Sequence, residues 1–251
     1  MWCAEEVDKK ILLGCNNHFI HIYSIFNKYQ QIKVIDSKKD VYALLVLNDG
    51  EMFVDAGFSP NKVQLWQTKS FAMTEFSTTE DSWVALLHEW RGFVVVSLFN
   101  GNVIFYEISK ATGFTKVRQV KTASSGITGF MAIDKDHCII SQNVDKNDYS
   151  PIVEYNAEED KQHQLDVAKF KVSEITRYLY YDVKKRPIFY FAEHTKEKVS
   201  CSWIWPYFTL YSLKVKVSQW YSPKMICNVP TIQDSVFIGD SAGNLHVFIV
   251  S

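Results

Sequence analysis

One hairpin-like segment constrains this chain more than any other feature of its sequence. Two apolar runs, Phe93–Phe99 and Val103–Ile108, flank the dipeptide Asn100-Gly101. Asn-Gly between strand-like runs favours a type I′ β-turn, because both central residues of that turn need positive φ angles. We therefore predict a β-hairpin here, with positive φ at both turn residues.

Variants of this hairpin recur along the whole chain. Each carries an aromatic residue near the end of its second strand, and successive aromatics lie 40 to 50 residues apart. These residues are Tyr23, Trp66, Tyr106, Tyr155, Trp205 and Phe248. The spacing is typical of a four-stranded propeller blade of about 40–45 residues, with loop insertions in the longer repeats. The repeat predicts an all-β chain of about six four-stranded blades.

No low-complexity linker separates the six predicted blades. Their approximate ranges are 1–36, 37–78, 79–121, 122–171, 172–217 and 218–251. No segment has sustained helical periodicity, and crowded apolar runs such as Val94–Val96 favour strands buried on both faces. Stacking blades around an axis covers both faces. We expect one β-propeller domain over 1–251, either an incomplete ring or part of a seven-bladed one, with the polar segment Asn143–Ser150 as a protruding loop.

The composition argues against several classes of protein. A formal net charge of −1 provides no overall field for nucleic acid, and no apolar run reaches the ~18 residues of a membrane span. The N-terminus lacks the order of a secretory signal. The five cysteines are odd in number and never form a C-x-x-C pair, which favours reduced thiols. We expect a cytoplasmic protein that does not bind nucleic acid, and the favoured interpretation does not include a membrane.

Two segments carry a resemblance to a known repeat family. Residues 12–23 read LLGCNNHFIHIY and residues 236–248 read VFIGDSAGNLHVF. Both resemble the strand, small residue, Asp/Asn turn, strand, aromatic pattern of WD40 repeats, and the resemblance spans essentially the whole chain. No Trp-Asp ends a repeat and no Gly-His opens one, so the family's Asp–His–Ser/Thr–Trp hydrogen-bond network lacks a complete residue set. Only Trp66 and Trp205 keep its tryptophan. The resemblance implies a degenerate WD40-like propeller that binds protein partners.

Several residues invite a catalytic interpretation. Gly239–Gly243 matches the G-x-S-x-G nucleophile elbow, but an elbow requires a following helix and the next residues predict a strand. His88-Glu89 lacks the second histidine of a zinc motif. The single histidines His137 and His194 are interpreted as loop or core residues. The carboxylates that could face a central channel are Asp55, Asp134 and Asp182. No recurring motif brings them together, so we assign no catalytic, cofactor-binding or metal residue.

Basic and aromatic clusters are the remaining candidates for binding. The basic clusters, interpreted as solvated loops, are Lys38-Lys39, Lys184–Arg186 and Lys214–Lys224. Trp90-Arg91-Gly92 lacks the Phe-Arg-Arg-Gly of phosphoinositide-binding propellers. Two aromatic groups are candidates for core or recognition: Tyr178, Tyr180 and Tyr181, and Trp203, Trp205, Tyr207 and Phe208.

The sequence therefore favours a non-catalytic interaction scaffold that presents loops on a rigid propeller to protein partners. The alternatives are a propeller hydrolase with a site in the central channel and a propeller that binds phosphoinositides or a membrane surface. The last predicted blade has only three strands. Its third strand, Asn244–Val250, is expected to have an unpaired edge that a further strand could complete.

Overall fold

The computed structural model consists of β-strands and turns, with no helix in the residues that it describes. These are residues 3–47, 50–58, 60–78, 82–109, 113–122, 126–142 and 152–165, and beyond them the strands 172–175, 180–181, 187–193, 200–204, 209–213, 223–227, 235–240 and 245–249. Within these ranges no helix is long and apolar enough to cross a membrane. The chain divides into two compact units, Met1–Gly126 and Ile127–Ser251.

The first unit contains three four-stranded antiparallel sheets, each a meander in chain order. Sheet 1 comprises β1 (Cys3–Val7), β2 (Lys10–Gly14), β3 (Phe19–Ser24) and β4 (Gln30–Asp36). Sheet 2 comprises β5 (Asp40–Val46), β6 (Met52–Phe58), β7 (Lys62–Gln67) and β8 (Met73–Thr78). Sheet 3 comprises β9 (Val84–Trp90), β10 (Phe93–Leu98), β11 (Asn102–Ser109) and β12 (Gly113–Lys121).

The second unit contains three further antiparallel sheets. Sheet 4 comprises β13 (Ile127–Ala132), β14 (His137–Gln142), β15 (Ile152–Asn156) and β16 (Lys161–Leu165). Sheet 5 comprises β17 (Val172–Ile175), β18 (Tyr180–Tyr181), β19 (Pro187–Glu193), β20 (Ser200–Ile204) and β21 (Thr209–Leu213). Sheet 6 comprises β22 (Pro223–Cys227), β23 (Ser235–Asp240) and β24 (Leu245–Ile249).

The inner strands β6, β7 and β10 of the first unit are buried on both faces, as the crowded apolar runs predict. Consecutive residues Leu65 and Trp66 on β7 belong to different apolar clusters. The cluster of Trp66 includes Ile22 of sheet 1, whereas the cluster of Leu65 includes Val84 of sheet 3. Because neighbouring side chains of a strand point to opposite faces, sheet 2 is covered on both sides. Burial between sheets is therefore what stabilises these short strands.

The central hairpin forms as predicted, but its turn has a different geometry. Of the two turn residues Asn100 and Gly101, only Gly101 has a positive φ, of 83°. The N–H of Gly101 donates to the carbonyl of Leu98 at 3.1 Å. The prediction of positive φ at Asn100 is therefore wrong. The Asn100 side chain instead accepts a hydrogen bond from the N–H of Asn102, which stabilises a longer turn. Two successive positive φ angles occur at Arg91-Gly92, between β9 and β10.

Three expectations about organisation stay predictions. These are that the chain is one domain, that it has the blade limits given above, and that a strand joins the edge at 244–250. Among the strands that the structure describes, β24 pairs on one side only, with β23. Residue Val247 on β24 is exposed. The predicted Asn143–Ser150 loop lies outside the described residues.

Candidate functional site

The connection between sheets 1 and 2 is anchored by a buried polar network. The Lys39 ammonium donates to Asp55 Oδ2 at 2.6 Å and to Gln64 Oε1 at 2.5 Å. Ser37 Oγ also donates to Asp55 Oδ2, at 2.5 Å, and Trp66 Nε1 donates to Asp55 Oδ1 at 3.0 Å. We call these five residues the Lys39 network. Because every member is buried and hydrogen-bonded, the network fixes the chain that leads into β5.

Burial controls the chemistry of this network. Removal from water lowers the pKa of the Lys39 ammonium, and the nearby Asp55 carboxylate only partly opposes that effect. The interpretation of Lys38-Lys39 as a solvated pair is wrong for Lys39, whose side chain is 0% exposed, and correct for Lys38. Asp55, one of the carboxylates considered for a channel, is also 0% exposed and lies among its hydrogen-bond partners. The network therefore has a structural role.

Sequence reasoning missed this network because it looked for a histidine. The WD40-type network consists of an Asp, a His, a Ser or Thr and a Trp, and because the sequence lacks a complete set, no such network was predicted. In the folded chain the Lys39 ammonium is one of the donors to the buried carboxylate of Asp55, and Gln64 is a further acceptor for Lys39. Trp66, the tryptophan singled out in the sequence, does donate to that carboxylate.

Close backbone contacts on two sides fix the position of the first residues of β5. The N–H of Val41 donates to the carbonyl of Cys15 at 3.0 Å, which joins β5 to sheet 1. On the other side, Asp40 pairs with Phe58 and Val41 pairs with Gly57. A Cβ atom at Gly57 would lie 1.6 Å from the carbonyl oxygen of Asp40. Only glycine permits this contact, so the register at this end of sheet 2 depends on it.

Four aromatic side chains form a continuous row at this end of sheets 2 and 3. The ring centroids of Tyr42 and Phe58 are 5.1 Å apart, and those of Phe58 and Trp83 are 4.6 Å apart in a stacked arrangement. Trp83 and Phe99 make an edge-to-face contact at 5.7 Å. These separations lie in the favourable range for aromatic pairs. We call Tyr42, Phe58, Trp83 and Phe99 the aromatic row.

The row is accessible, and a backbone hydrogen bond joins two of its members. Trp83 is 48% exposed and Phe99 is 38% exposed, while Tyr42 and Phe58 are half-buried. The N–H of Phe99 donates to the carbonyl of Trp83 at 3.0 Å, which holds these two residues together. Burial, and then the negative charge of Asp40, raise the pKa of the Tyr42 phenol, so its hydroxyl stays a hydrogen-bond donor at neutral pH. The site offers apolar rings with a polar group at one end.

The aromatic groups emphasised by the sequence lie elsewhere. Tyr180 and Tyr181 form β18 and Trp203 lies in β20. Tyr178, Trp205, Tyr207 and Phe208 lie outside the described residues. The aromatic row was missed because its members come from four separate segments on two sheets. Their shared position at strand ends, where β5 and β9 begin and β6 and β10 end, is the one signal in the sequence that could have found them.

Two of the histidine and carboxylate candidates, Asp134 and His137, form a local cluster. Asp134 lies in the turn between β13 and β14, and His137 begins β14, with His137 Nδ1 3.0 Å from both Asp134 carboxylate oxygens. Asp134 also accepts backbone N–H bonds from Asp136 and His137. Glu154 lies 3.9 Å from His137 Nε2. These bonds close the turn, and within the described ranges no group of three or more His, Cys, Asp or Glu residues could hold a metal ion.

The other catalytic candidates lie in strands or outside the description. Gly239 and Asp240 end β23, which pairs antiparallel with β24, so the G-x-S-x-G segment connects two strands of a hairpin. That setting lacks the strand-to-helix turn of a nucleophile elbow. His88 lies within β9 and pairs with Val95. Asp182, His194 and Lys184–Arg186 are outside the described residues, as is most of Lys214–Lys224.

Comparison with known proteins identifies the fold. No family model matches the chain, and no curated protein matches it. Among the solved structures, the WD40 domain of Neurospora crassa Pan2 is similar, with a TM-score of 0.74 and 13% sequence identity. The match covers 98% of this chain and 74% of that chain. The chain therefore has a WD40-type β-propeller fold, as its repeats predicted, and its repeats are degenerate in sequence.

Proposed function

We propose that this chain is a non-catalytic interaction module that binds a protein partner through the aromatic row. The observation that carries the proposal is the exposure of stacked rings on a rigid strand end, with Trp83 48% exposed. Large aromatic side chains provide most of the binding energy at protein interfaces, and they lose little entropy when they are already held in place. The WD40-type fold supports a scaffold of this kind.

The geometry suits a partner that brings an apolar segment with a polar end. Trp83 and Phe99 provide the apolar surface, and the Tyr42 hydroxyl and the Asp40 carboxylate lie at the other end of the row. The Lys39 network and Gly57 hold this surface in one shape before binding. Preorganisation of this kind increases affinity, because the side chains lose less conformational entropy when the partner binds.

Affinity purification with matched variants tests the proposal. Tagged wild-type chain, the double variant Trp83→Ser/Phe99→Ser and the control Val117→Ser are each used to capture proteins from extract of the source cells. Val117 is 52% exposed on β12 and lies outside the aromatic row. The partner captured by the wild type and the control should be lost with the double variant, whose affinity falls by about 30-fold or more. Equal capture by all three proteins would refute the proposal.

A further inference from the structure

The two most exposed large apolar residues of the described chain lie in one turn. Phe26 is 71% exposed and Tyr29 is 62% exposed, both in the connection between β3 and β4. Single exposed apolar residues are common on protein surfaces, but two aromatics in one four-residue segment form a concentrated apolar tip. The tip belongs to sheet 1, whereas the aromatic row belongs to sheets 2 and 3.

A second turn supports this segment and brings positive charge to it. The N–H of Ile25 donates to the carbonyl of Lys9 at 3.0 Å, which joins the β3–β4 turn to the β1–β2 turn. The Lys9 ammonium lies 4.7 Å from the centre of the Phe26 ring. We call residues 8–10 together with residues 24–30 the basic tip.

The charges around the basic tip are mostly positive. It contains Lys9, Lys10 and Lys28, and Lys69 lies close enough to act on the Asp8 carboxylate. Asp8 is hydrogen-bonded to Lys10 at 2.5 Å, and the hydrogen bond and these charges lower its pKa. Glu51, exposed near the Lys69 turn, is a second acidic group on this side. Four lysines against two carboxylates leave the region net positive.

The backbone of the basic tip is held in an uncommon conformation. Lys28 and Tyr29 have φ angles of 49° and 59°, in the left-handed region. Positive φ is rare for residues other than glycine, and especially for bulky aromatics. The conformation keeps Tyr29 exposed instead of packed on the sheet, so no burial of its ring within the described chain offsets the strain.

Equivalent turns in sheets 2 and 4 also contain a residue with positive φ, but they lack exposed aromatic side chains. In the β7–β8 turn of sheet 2, Phe71 is half-buried with Lys33 over its ring at 5.1 Å. The β15–β16 turn of sheet 4, residues 157–160, has no aromatic residue and contains Glu158, Glu159 and Asp160. Among these three described turns, the combination of exposed aromatics and lysines therefore occurs in the first repeat, and the fold alone does not require it.

We propose that the basic tip binds the surface of an anionic lipid membrane, with Phe26 and Tyr29 entering the headgroup layer. Aromatic side chains favour the interface between water and hydrocarbon, where one end is apolar and the other is wet. Lysines beside them are attracted by anionic headgroups. A protein hot spot is normally surrounded by contacts that exclude water. Here the neighbours of the rings are hydrated lysines and Asn27, which suit the headgroup layer better.

Vesicle co-sedimentation of the full chain tests the proposal. Wild-type protein should bind mixed phosphatidylcholine–phosphatidylserine vesicles, bind phosphatidylcholine vesicles much less, and lose binding as salt is raised, because salt screens the lysines. Phe26→Ser/Tyr29→Ser should bind the mixed vesicles about tenfold more weakly or worse, since the apolar contact is removed. Lys9→Ser/Lys28→Ser should also bind about tenfold more weakly. The control Val117→Ser should bind like the wild type.

The two double variants separate lipid binding from a folding defect. Both change exposed side chains, and far-UV circular dichroism and thermal melting report whether each variant remains folded. The proposal is overturned if the wild type binds mixed vesicles no better than neutral ones. It is equally overturned if folded Phe26→Ser/Tyr29→Ser binds as well as the wild type. Capture of an acidic protein by the tip, without vesicle binding, would assign the basic tip to a protein partner and also overturn the proposal.

Discussion

Replacing Lys39 by methionine should strongly destabilise the chain. The substitution keeps an unbranched side chain of similar length but removes the charge that faces the buried Asp55 carboxylate. Removing one partner of a buried ion pair costs about 3–5 kcal/mol, because the other charge remains buried without compensation. Natural domains have total stabilities of about 5–15 kcal/mol, so the expected loss is a large part of the whole.

The neighbouring lysine provides a matched control. In the control variant Lys38→Met, the same substitution removes an exposed lysine that forms an ion pair with Asp36. Exposed pairs of this kind contribute about 0–1 kcal/mol. Urea denaturation of the full chain, followed by circular dichroism and tryptophan fluorescence, gives both changes in the free energy of unfolding. A Lys39→Met variant that loses no more stability than Lys38→Met would refute the assignment of a buried ion pair.

A second substitution shows whether the loss comes from the uncompensated charge. In Lys39→Met/Asp55→Asn the carboxylate is also removed, while the amide oxygen of the new side chain can still accept from Trp66 Nε1. The double variant should therefore be more stable than the sum of the two single changes predicts, with a coupling energy of about 1–3 kcal/mol. Simple additivity would mean that Lys39 and Asp55 do not interact in the folded protein.

Three further substitutions or modifications have definite expected outcomes. Gly57→Ala should cost about 2–4 kcal/mol in urea denaturation, because the new Cβ would collide with the Asp40 carbonyl; a neutral effect would contradict the backbone register there. Cys3 and Cys15 are both half-buried, but burial raises the pKa of the Cys3 thiol to about 12. At neutral pH iodoacetamide should therefore modify Cys3 more slowly than Cys15, as measured by mass spectrometry of peptides, and equal rates would contradict the raised pKa. Burial tends to raise the pKa of Asp134, but its hydrogen bonds lower that pKa below the ordinary value of 3.8 overall. The ionised carboxylate therefore stabilises the fold above pH 3.8, and this contribution is lost as the pH falls through the lowered pKa. The melting temperature of Asp134→Asn should accordingly depend less on pH below about 4 than that of the wild type. Identical pH profiles would refute stabilisation of the turn by the Asp134 carboxylate.

The repeated sheets were predictable because their cause is local and periodic. A hairpin with an aromatic near its end recurs in the sequence, and each apolar run is long enough for one strand. Burial on both faces then follows from side-chain alternation, as the opposite environments of Leu65 and Trp66 show. The fold could therefore be assigned from the sequence although no repeat has the Trp-Asp ending.

The candidate site could not be predicted, because it depends on contacts between distant segments. Nothing local distinguishes Lys38 from Lys39; only the folded sheet places Lys39 beside Asp55. The aromatic row likewise joins Tyr42 to Phe99 through two intervening rings from separate segments. Turn geometry has the same limitation, since Asn100-Gly101 favours one turn in isolation and forms another beside Asn102.

Amide hydrogen exchange in the presence of the captured partner tests the central claim most directly. If the partner binds the aromatic row, the backbone amides around Trp83 and Phe99 should exchange more slowly in the complex than in the free chain. The amides of Val117 and its neighbours on β12, which lie outside the row, should be unchanged. Protection at 82–84 and 98–101 is the predicted result. Protection confined to other segments, with unchanged exchange at these two, would contradict the assignment of the aromatic row as the binding surface.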